Sequence, residues 1–321
     1  MIAGSSSTAT IGIGLPSYNG SAYVEAAIES LRAQTYQDFV LACSDDASTD
    51  GTPDILARHA DEDPRMVIRR SPTRVGLVQN WRSAFRLARD ATPTMRYFAW
   101  ASDHDVWHPR WLERLMAELE EHPEAVLAYP LDIGIDAAGD KFREPWRFDT
   151  AGIPFVGPRF ATATWGMKAG NMVYGLHRVD ALERCGVFRP VIVPDRLLLT
   201  ELAIMGEFRQ VDEVLWSRRY TGRTMSIRAR QRQTFFPDGA PLYASLPWPL
   251  VHGAVLAWSV GVKGSVRPEV GRARALLLVL WYTAQMGRVA AKKRLRKGLP
   301  TLKRDVGKAV RRVTGRQTAS R

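Results

Sequence analysis

The chain is expected to fold as an α/β protein: a mostly parallel sheet flanked by helices, followed by a helical, basic C-terminal appendage. Three observations lead there. Between residues 11 and 131, short apolar runs alternate with segments of helical spacing. A β-α-β-α rhythm of this kind builds a parallel sheet with helices on both faces. Asp-rich polar clusters follow the apolar runs, where ligands bind in such sheets. Finally, residues 287–321 carry thirteen Lys or Arg against one acid, Asp305, which accounts for the whole net charge of +12.

The elements follow in order. Ile11–Leu15 is the first strand, ending at Pro16, and Val24, Ala27, Ile28 and Leu31 recur at helical spacing. Phe39–Cys43 is the second strand, and Ser48 and Thr52 offer caps for a helix through Ile55 and Leu56. Met66–Ile68 is the third strand; Trp81, Phe85 and Ala88 mark the next helix. Tyr97–Trp100, a helix over Leu112–Leu119 and Ala125–Tyr129 complete this part. From 132 to 228 the pattern is less regular. A hairpin turn is expected at 136–140 and a substrate-facing loop over 145–164. Strands are expected at Met172–His177 and Val211–Trp216, and helices at Val179–Arg184 and Asp195–Met205. The expected boundaries are a flexible 1–10, a body over 11–228 and an appendage over 229–321. The body divides into a regular part, 11–131, and a less regular part, 132–228.

The appendage holds two uncharged apolar runs, Leu250–Val262 and Ala275–Gly287, each short of the ~20 residues that span a bilayer. Near the end, Leu299, Leu302, Val306, Val310 and Val313 form a stripe with basic residues on the other faces. That composition suits a helix lying in a membrane interface. An anionic membrane surface is therefore the expected partner of 287–321, and nucleic acid is not. Two distant cysteines, Cys43 and Cys185, build no disulfide framework. Residues 1–10 lack the charged start and apolar run of a signal peptide. The expected location is the cytoplasm, at the inner face of the plasma membrane.

Each polar cluster permits a chemistry. Asp103-His104-Asp105 offers two carboxylates in a tight loop between Trp100 and Trp107. Mg²⁺ or Mn²⁺ takes hard oxygen ligands, and one or two carboxylates suffice when phosphates supply the rest. The cluster equally suits a turn ahead of Pro109. Asp45-Asp46 can accept a base N–H or shape a turn, and Arg74 can pair with a phosphate or stay solvated. His59, His108, His122, His177 and His252 show no metal-ligand spacing. No P-loop, Gly-x-Gly-x-x-Gly or Gly-x-Ser-x-Gly is present.

Taken in order, Leu15-Pro16-Ser17-Tyr18-Asn19-Gly20, Ser44-Asp45-Asp46-Ala47-Ser48-Thr49-Asp50-Gly51-Thr52, Arg74-Val75-Gly76 with Asn80, and Asp103-His104-Asp105-Val106-Trp107 closely resemble the family 2 glycosyltransferases of the GT-A fold. The resemblance covers about residues 11 to 131, and more loosely continues to 228. It implies a Rossmann-like GT-A sheet and an inverting transferase that uses a nucleoside-diphosphate sugar, with a UDP-sugar favoured, and Mg²⁺ or Mn²⁺. It places Pro16, Tyr18 and Asp46 at the base and Asp103 and Asp105 at the metal and ribose; Asn19, Asp45 and Arg74 are further candidates for the nucleotide sugar. His104 stands where many relatives carry another Asp. The family's catalytic base falls at a helix start, which points to Asp195, with Glu201 as the fallback. Its diphosphate-closing loop falls on 218–226, which points to Arg219 or Arg223. Gly170, Asn171, Trp146, Phe148 and Trp165 are candidates for the acceptor side. The processive Gln-x-x-Arg-Trp signature is absent from this region, which favours addition of one sugar rather than polymerisation. The basic tail alone points to a lipid-linked or cell-envelope glycan as the acceptor. Two alternatives remain: a sugar-nucleotidyltransferase, and a non-catalytic protein that binds anionic surfaces through its tail.

Overall fold

The computed structural model describes residues 9–220, 234–266 and 270–292. Its centre is a nine-stranded sheet. The first strand, β1 (Ile11–Ser17), lies parallel between β2 (Phe39–Asp45) and β4 (Tyr97–Trp100), and β3 (Met66–Arg70) extends the edge beyond β2. All of β2 is buried, because a parallel strand covered on both faces has no polar side to show. Next to β4 come β8 (Leu176–Arg178), β6 (Ala125–Ile135) and β9 (Glu207–Arg219), with β5 (Val106–Trp107) at the far end and β7 (Lys141–Arg143) paired to β6. Strands β1, β2, β3, β4, β6 and β9 share one direction, while β5, β7 and β8 run against it.

Alternation along the strands divides two cores. Phe98 and Trp100 of β4 point to one face, and Tyr97 and Ala99 to the other. Helices α1 (Val24–Arg32), α2 (Thr52–Glu62) and α4 (Trp111–Glu121) cover Ile11, Ile13 and Leu41. On the opposite face lie α3 (Leu77–Ala91), α5 (Val156–Gly166), α7 (Val179–Arg184) and α8 (Pro194–Met205), with the four-residue α6 (Ala169–Met172). Helix α9 (Trp248–Ala257), a π-helical turn Trp258–Val262 and the helical run 272–292 pack on that same core through Leu256, Val260, Tyr282 and Met286. His252 is buried in this junction, against the Tyr282 hydroxyl at 3.0 Å and the Ile192 carbonyl at 2.8 Å.

Two expected elements differ. The loop expected over 145–164 holds α5, which buries Phe160, Ala163 and Thr164 at helical spacing. Pro158 masked it, although proline is tolerated in a first turn. The strand expected at Met172–His177 is instead the end of α6, a turn and the short β8. The amides of Tyr174 and Gly175 donate back to the carbonyls of Asn171 at 3.2 Å and Met172 at 3.0 Å, so the chain is still turning there and the strand begins only at Leu176. Among the described residues, no helix is long and apolar enough to cross a membrane.

Candidate active site

Three strand ends converge with the start of α8. A hollow of about 410 Å³ opens beyond β1, β2 and β4, and Pro16, Tyr18, Asn19, Asp46, Arg74 and Asp103 all line it. Its loops are held by side-chain bonds to backbone. The Asn19 amide donates to Ser48 Oγ at 2.9 Å, and the Thr49 amide donates to Asn19 Oδ1 at 2.9 Å. That grip explains how Asn19 holds a left-handed φ of 49°. Asp46 accepts from the amides of Val75 at 2.6 Å and Gly76 at 3.0 Å, one on each oxygen. Burial pushes its carboxyl above the ordinary range, and those two amides draw it back only in part. Gly76 is at φ 85°, and a Cβ there would meet the Phe235 carbonyl at 2.7 Å. Asp46 thus shapes the loop that presents Arg74, whose guanidinium lies 4.1 Å over the Tyr18 ring. Among the described residues, Arg74 Nε and Asn80 Oδ1 are buried without a hydrogen-bond partner, and both residues line the hollow.

Asp103 marks the floor. Its Oδ2 accepts from Ser17 Oγ at 2.9 Å, and its Oδ1 lies 2.8 Å from His104 Nδ1. A Cβ at Gly20 would come within 2.7 Å of that Oδ2, so glycine keeps this edge open. Burial alone would lower the His104 pKa. The bond to Asp103 and the charges of Asp105 and Asp103 outweigh it, and the imidazole stands above its ordinary value.

A second hollow, about 240 Å³, adjoins the first and shares Leu77, Trp81, Tyr174 and Thr234 with it. Asp195 opens onto it from the first turn of α8, and Val193 before it holds a left-handed φ of 60°. Burial raises the Asp195 pKa above the carboxylate norm. A Cβ at Gly170 would sit 3.7 Å from both Asp195 Oδ2 and an Arg218 nitrogen, so the acid and the guanidinium border one open space.

Three expected site residues stand elsewhere. Asp45 turns from the hollow: its Oδ2 takes the Ser48 amide at 3.1 Å and faces Arg70 Nε at 3.4 Å. Asp105 is buried behind Asp103, with one oxygen on Trp216 Nε1 at 3.0 Å and the other on the Arg219 amide at 2.7 Å. Arg219 is spent on the carbonyls of His104, Asp136 and Ala137. Arg223 lies outside the described residues. Glu201 is closed as well, since Arg189 grips both its oxygens. Sequence reasoning missed Arg218. Successive strand residues face opposite sides, so the register of β9 decides which arginine of the pair meets the hollow. Tyr174 and Trp81, which wall both hollows, carried no motif signal.

Among the described residues, no group of three His, Cys, Asp or Glu is arranged to hold a metal. Asp103 offers one carboxylate at the hollow, with the His104 imidazole bound to it rather than free to ligate. A single carboxylate fits a Mg²⁺ or Mn²⁺ that draws its remaining ligands from a diphosphate and water. It does not fit an ion caged by protein alone.

A one-directional sheet core with an Asp-lined hollow at its strand ends, joined to a second hollow carrying an acid at a helix start, defines a GT-A-type nucleotide-sugar enzyme. The model of the family described as glycosyl transferase family 2 matches residues 13–175, and the chain belongs to that family. An uncharacterized protein of Sinorhizobium fredii is 30% identical over 155 residues, covering 46% of this chain and 16% of that protein. An uncharacterized glycosyltransferase of Nostoc is 26% identical over 123 residues, covering 38% of this chain and 37% of its own. The matched regions thus span only a minor part of these relatives. In fold, the chain resembles S. aureus TarS 1-349 in complex with UDP-GlcNAc, with a TM-score of 0.57 at 13% identity, over 85% of this chain and 71% of that one. It also resembles the mannosyltransferase PcManGT from Pyrobaculum calidifontis, in complex with GDP-Man and Mn²⁺, with a TM-score of 0.50 at 16% identity, over 92% and 81%.

Proposed function

We propose that the chain transfers one sugar, with inversion, from a nucleoside-diphosphate sugar to a lipid-linked or cell-envelope glycan, with Asp195 as the base. The observation that carries this reading is the wall shared by the two hollows. Leu77, Trp81, Tyr174 and Thr234 border both, so a donor in one meets an acceptor in the other. The nucleobase enters between Pro16, Tyr18 and Asp46. Arg74 Nε and Asn80 Oδ1 have unfilled hydrogen-bonding capacity to offer the nucleotide. The acceptor hydroxyl attacks the anomeric carbon as the bond to the diphosphate breaks, and its proton passes to the Asp195 carboxylate. Arg218 beside that carboxylate favours its ionised form. A divalent ion held by Asp103 and the diphosphate itself would neutralise charge on the departing group. The UDP preference draws support from the fold likeness to a UDP-GlcNAc complex, and the GDP-Man complex keeps guanine donors in the test. We place the enzyme on the cytoplasmic side of an anionic membrane, held through 287–321; of that segment, 293–321 lie outside the described residues.

The test is nucleotide release from a panel of UDP-, GDP- and dTDP-sugars, with and without Mg²⁺ or Mn²⁺. One donor should stand out, with activity dependent on the ion. Asp103→Ala should lower its kcat/KM by about a hundredfold, a loss of roughly 3 kcal/mol of transition-state stabilisation. Absence of turnover with every donor and ion would defeat the reading. Ion-independent turnover would remove the metal from it.

A further inference from the structure

A cavity of about 930 Å³ lies between α3 and the C-terminal helices, more than twice the volume of the 410 Å³ donor hollow and apart from it. One wall is apolar: Leu246, Leu250, Val251, Val255 and Trp258. The other wall is basic, with Arg82 and Arg86 from α3 and Lys263 at the end of the π-helical turn. Arg82 donates to the carbonyls of Gly186 and Phe188, and Arg86 only to the Arg82 carbonyl. None of Arg82, Arg86 and Lys263 forms an ion pair among the described residues; the fourth cation, Arg189, is already held by Glu201. Burial lowers the Arg82 pKa, and the like charges of Arg86 and Arg189 lower it further. Arg82 is half-buried, and a partly desolvated cation without an anion is an arrangement that an anionic occupant would relieve.

The apolar wall continues onto the surface. Leu250, Trp258 and Val262 are 57%, 56% and 64% exposed, and Leu277 and Leu280 on the helical run 272–292 are 64% and 66% exposed. Exposed apolar side chains gathered on these C-terminal helices mark a partner or membrane contact. Residues 293–321 are a poor occupant, since they carry eleven Lys or Arg against Asp305 and would add charge of the same sign.

We propose that this cavity seats an anionic phospholipid of the bilayer, its acyl chain against Leu246–Trp258 and its phosphate on Arg86 and Lys263, with Arg82 beneath. The volume lies within the ~300–1,000 Å³ of ligand clefts. Exposed leucines and a tryptophan around a basic recess are what an interfacial surface requires. This contact is distinct from the basic tail and does not depend on the sugar-transfer reading. Gly186, Pro190 and Val191 line the cavity, and Phe188 between them lines the Asp195 hollow. A bound lipid would therefore brace the segment that leads into α8.

The test uses the full chain with phosphatidylglycerol vesicles that contain phosphatidylglycerol bearing a photoreactive diazirine on its acyl chain, with adducts mapped by peptide mass spectrometry. Adducts are expected within residues 242–263. They should fall at least fivefold in phosphatidylcholine vesicles carrying the phosphatidylcholine form of the probe. The double variant Arg86→Glu/Lys263→Glu alters two exposed side chains and leaves the tail intact. It should lose the 242–263 adducts by a similar factor while still floating with the vesicles. Adducts confined to 293–321, equal labelling with either headgroup, or a dimer that excludes the lipid would overturn the proposal. If the double variant melts early, the headgroup comparison on the unaltered chain decides.

Discussion

The donor hollow and the Asp195 hollow share four side chains but are held together differently. The donor side is built from loops, and its polar groups are anchors: Asp46 holds the amides of Val75 and Gly76, and Asp103 holds Ser17. The Asp195 side is built by packing, with Leu77 and Trp81 of α3 set against Val173, Phe188 and Phe235 from elsewhere in the chain. Among the described residues, its acid accepts only the amide of the next residue, Arg196, at 2.9 Å. On one side, then, a carboxylate shapes the site. On the other, a shaped site carries a carboxylate that the fold does not need.

The largest expected effect tests that contrast directly. Asp195→Asn should lower kcat by about 10²–10⁴-fold, the usual contribution of a general base. It should leave stability unchanged or raise it. The sign follows from the raised pKa: the native state holds the proton more tightly than the unfolded chain, so at neutral pH the ionised carboxylate opposes folding. That penalty is relieved as pH falls through the folded-state pKa, and Asn removes it at every pH. The same shift places the acid limb of the kcat profile above the ordinary carboxylate range, because the base is lost as it protonates. Rate profiles and denaturant melts read both halves. An Asn variant that keeps a tenth of the activity, or that unfolds easily, breaks the contrast.

The next effect belongs to the other side. Asp46→Asn keeps one acceptor oxygen and turns an NH₂ toward a backbone N–H that is buried with it. About 2 kcal/mol of stability should be lost in urea, the scale for a charged hydrogen bond removed from a buried donor. Donor KM should rise with it, since the displaced 74–76 loop carries Arg74. Were Asp46→Asn to weaken donor binding at full stability, the carboxylate would be a direct ligand of the base rather than an anchor of its loop.

The same contrast decides what could be read from the residues alone. The donor side was legible because its parts are local: an apolar run fixes a strand, and the polar cluster behind it arrives at the sheet's carboxyl end whatever the rest does. Pro16, Tyr18, Asn19, Asp46, Arg74 and Asp103 reach one hollow for that reason. What stayed hidden was the direction each side chain faces. Asp45 and Asp46 are adjacent and point apart, as do Asp103 and Asp105, because strand pleat and turn geometry set orientation below the reach of a motif. Arg218 and Arg219 repeat the lesson at the end of β9. On the Asp195 side only the helix start was visible; Tyr174 and Phe188 look like any core aromatics until tertiary packing places them. The basic cavity was hidden more deeply, since Arg82 and Arg86 lie on a helix read only for its apolar face.

The smallest effect sharpens the donor side further. The Arg74 guanidinium lies flat on Tyr18 across a contact of 4.1 Å. Such a pair at a partly exposed site contributes ~0.5–1 kcal/mol, and a lysine keeps the charge but loses the planar stack. Arg74→Lys should therefore raise donor KM about two- to fivefold and leave kcat unchanged. Tyr18→Leu should do the same if the ring's role is to position the guanidinium. The double variant then decides between two pictures: an effect no larger than either single change means ring and cation act as one unit, whereas multiplied effects mean that each meets the nucleotide separately. In the second case, Arg74 Nε finds its missing partner on the donor, and the loop anchored by Asp46 delivers a ligand rather than a lid for Tyr18.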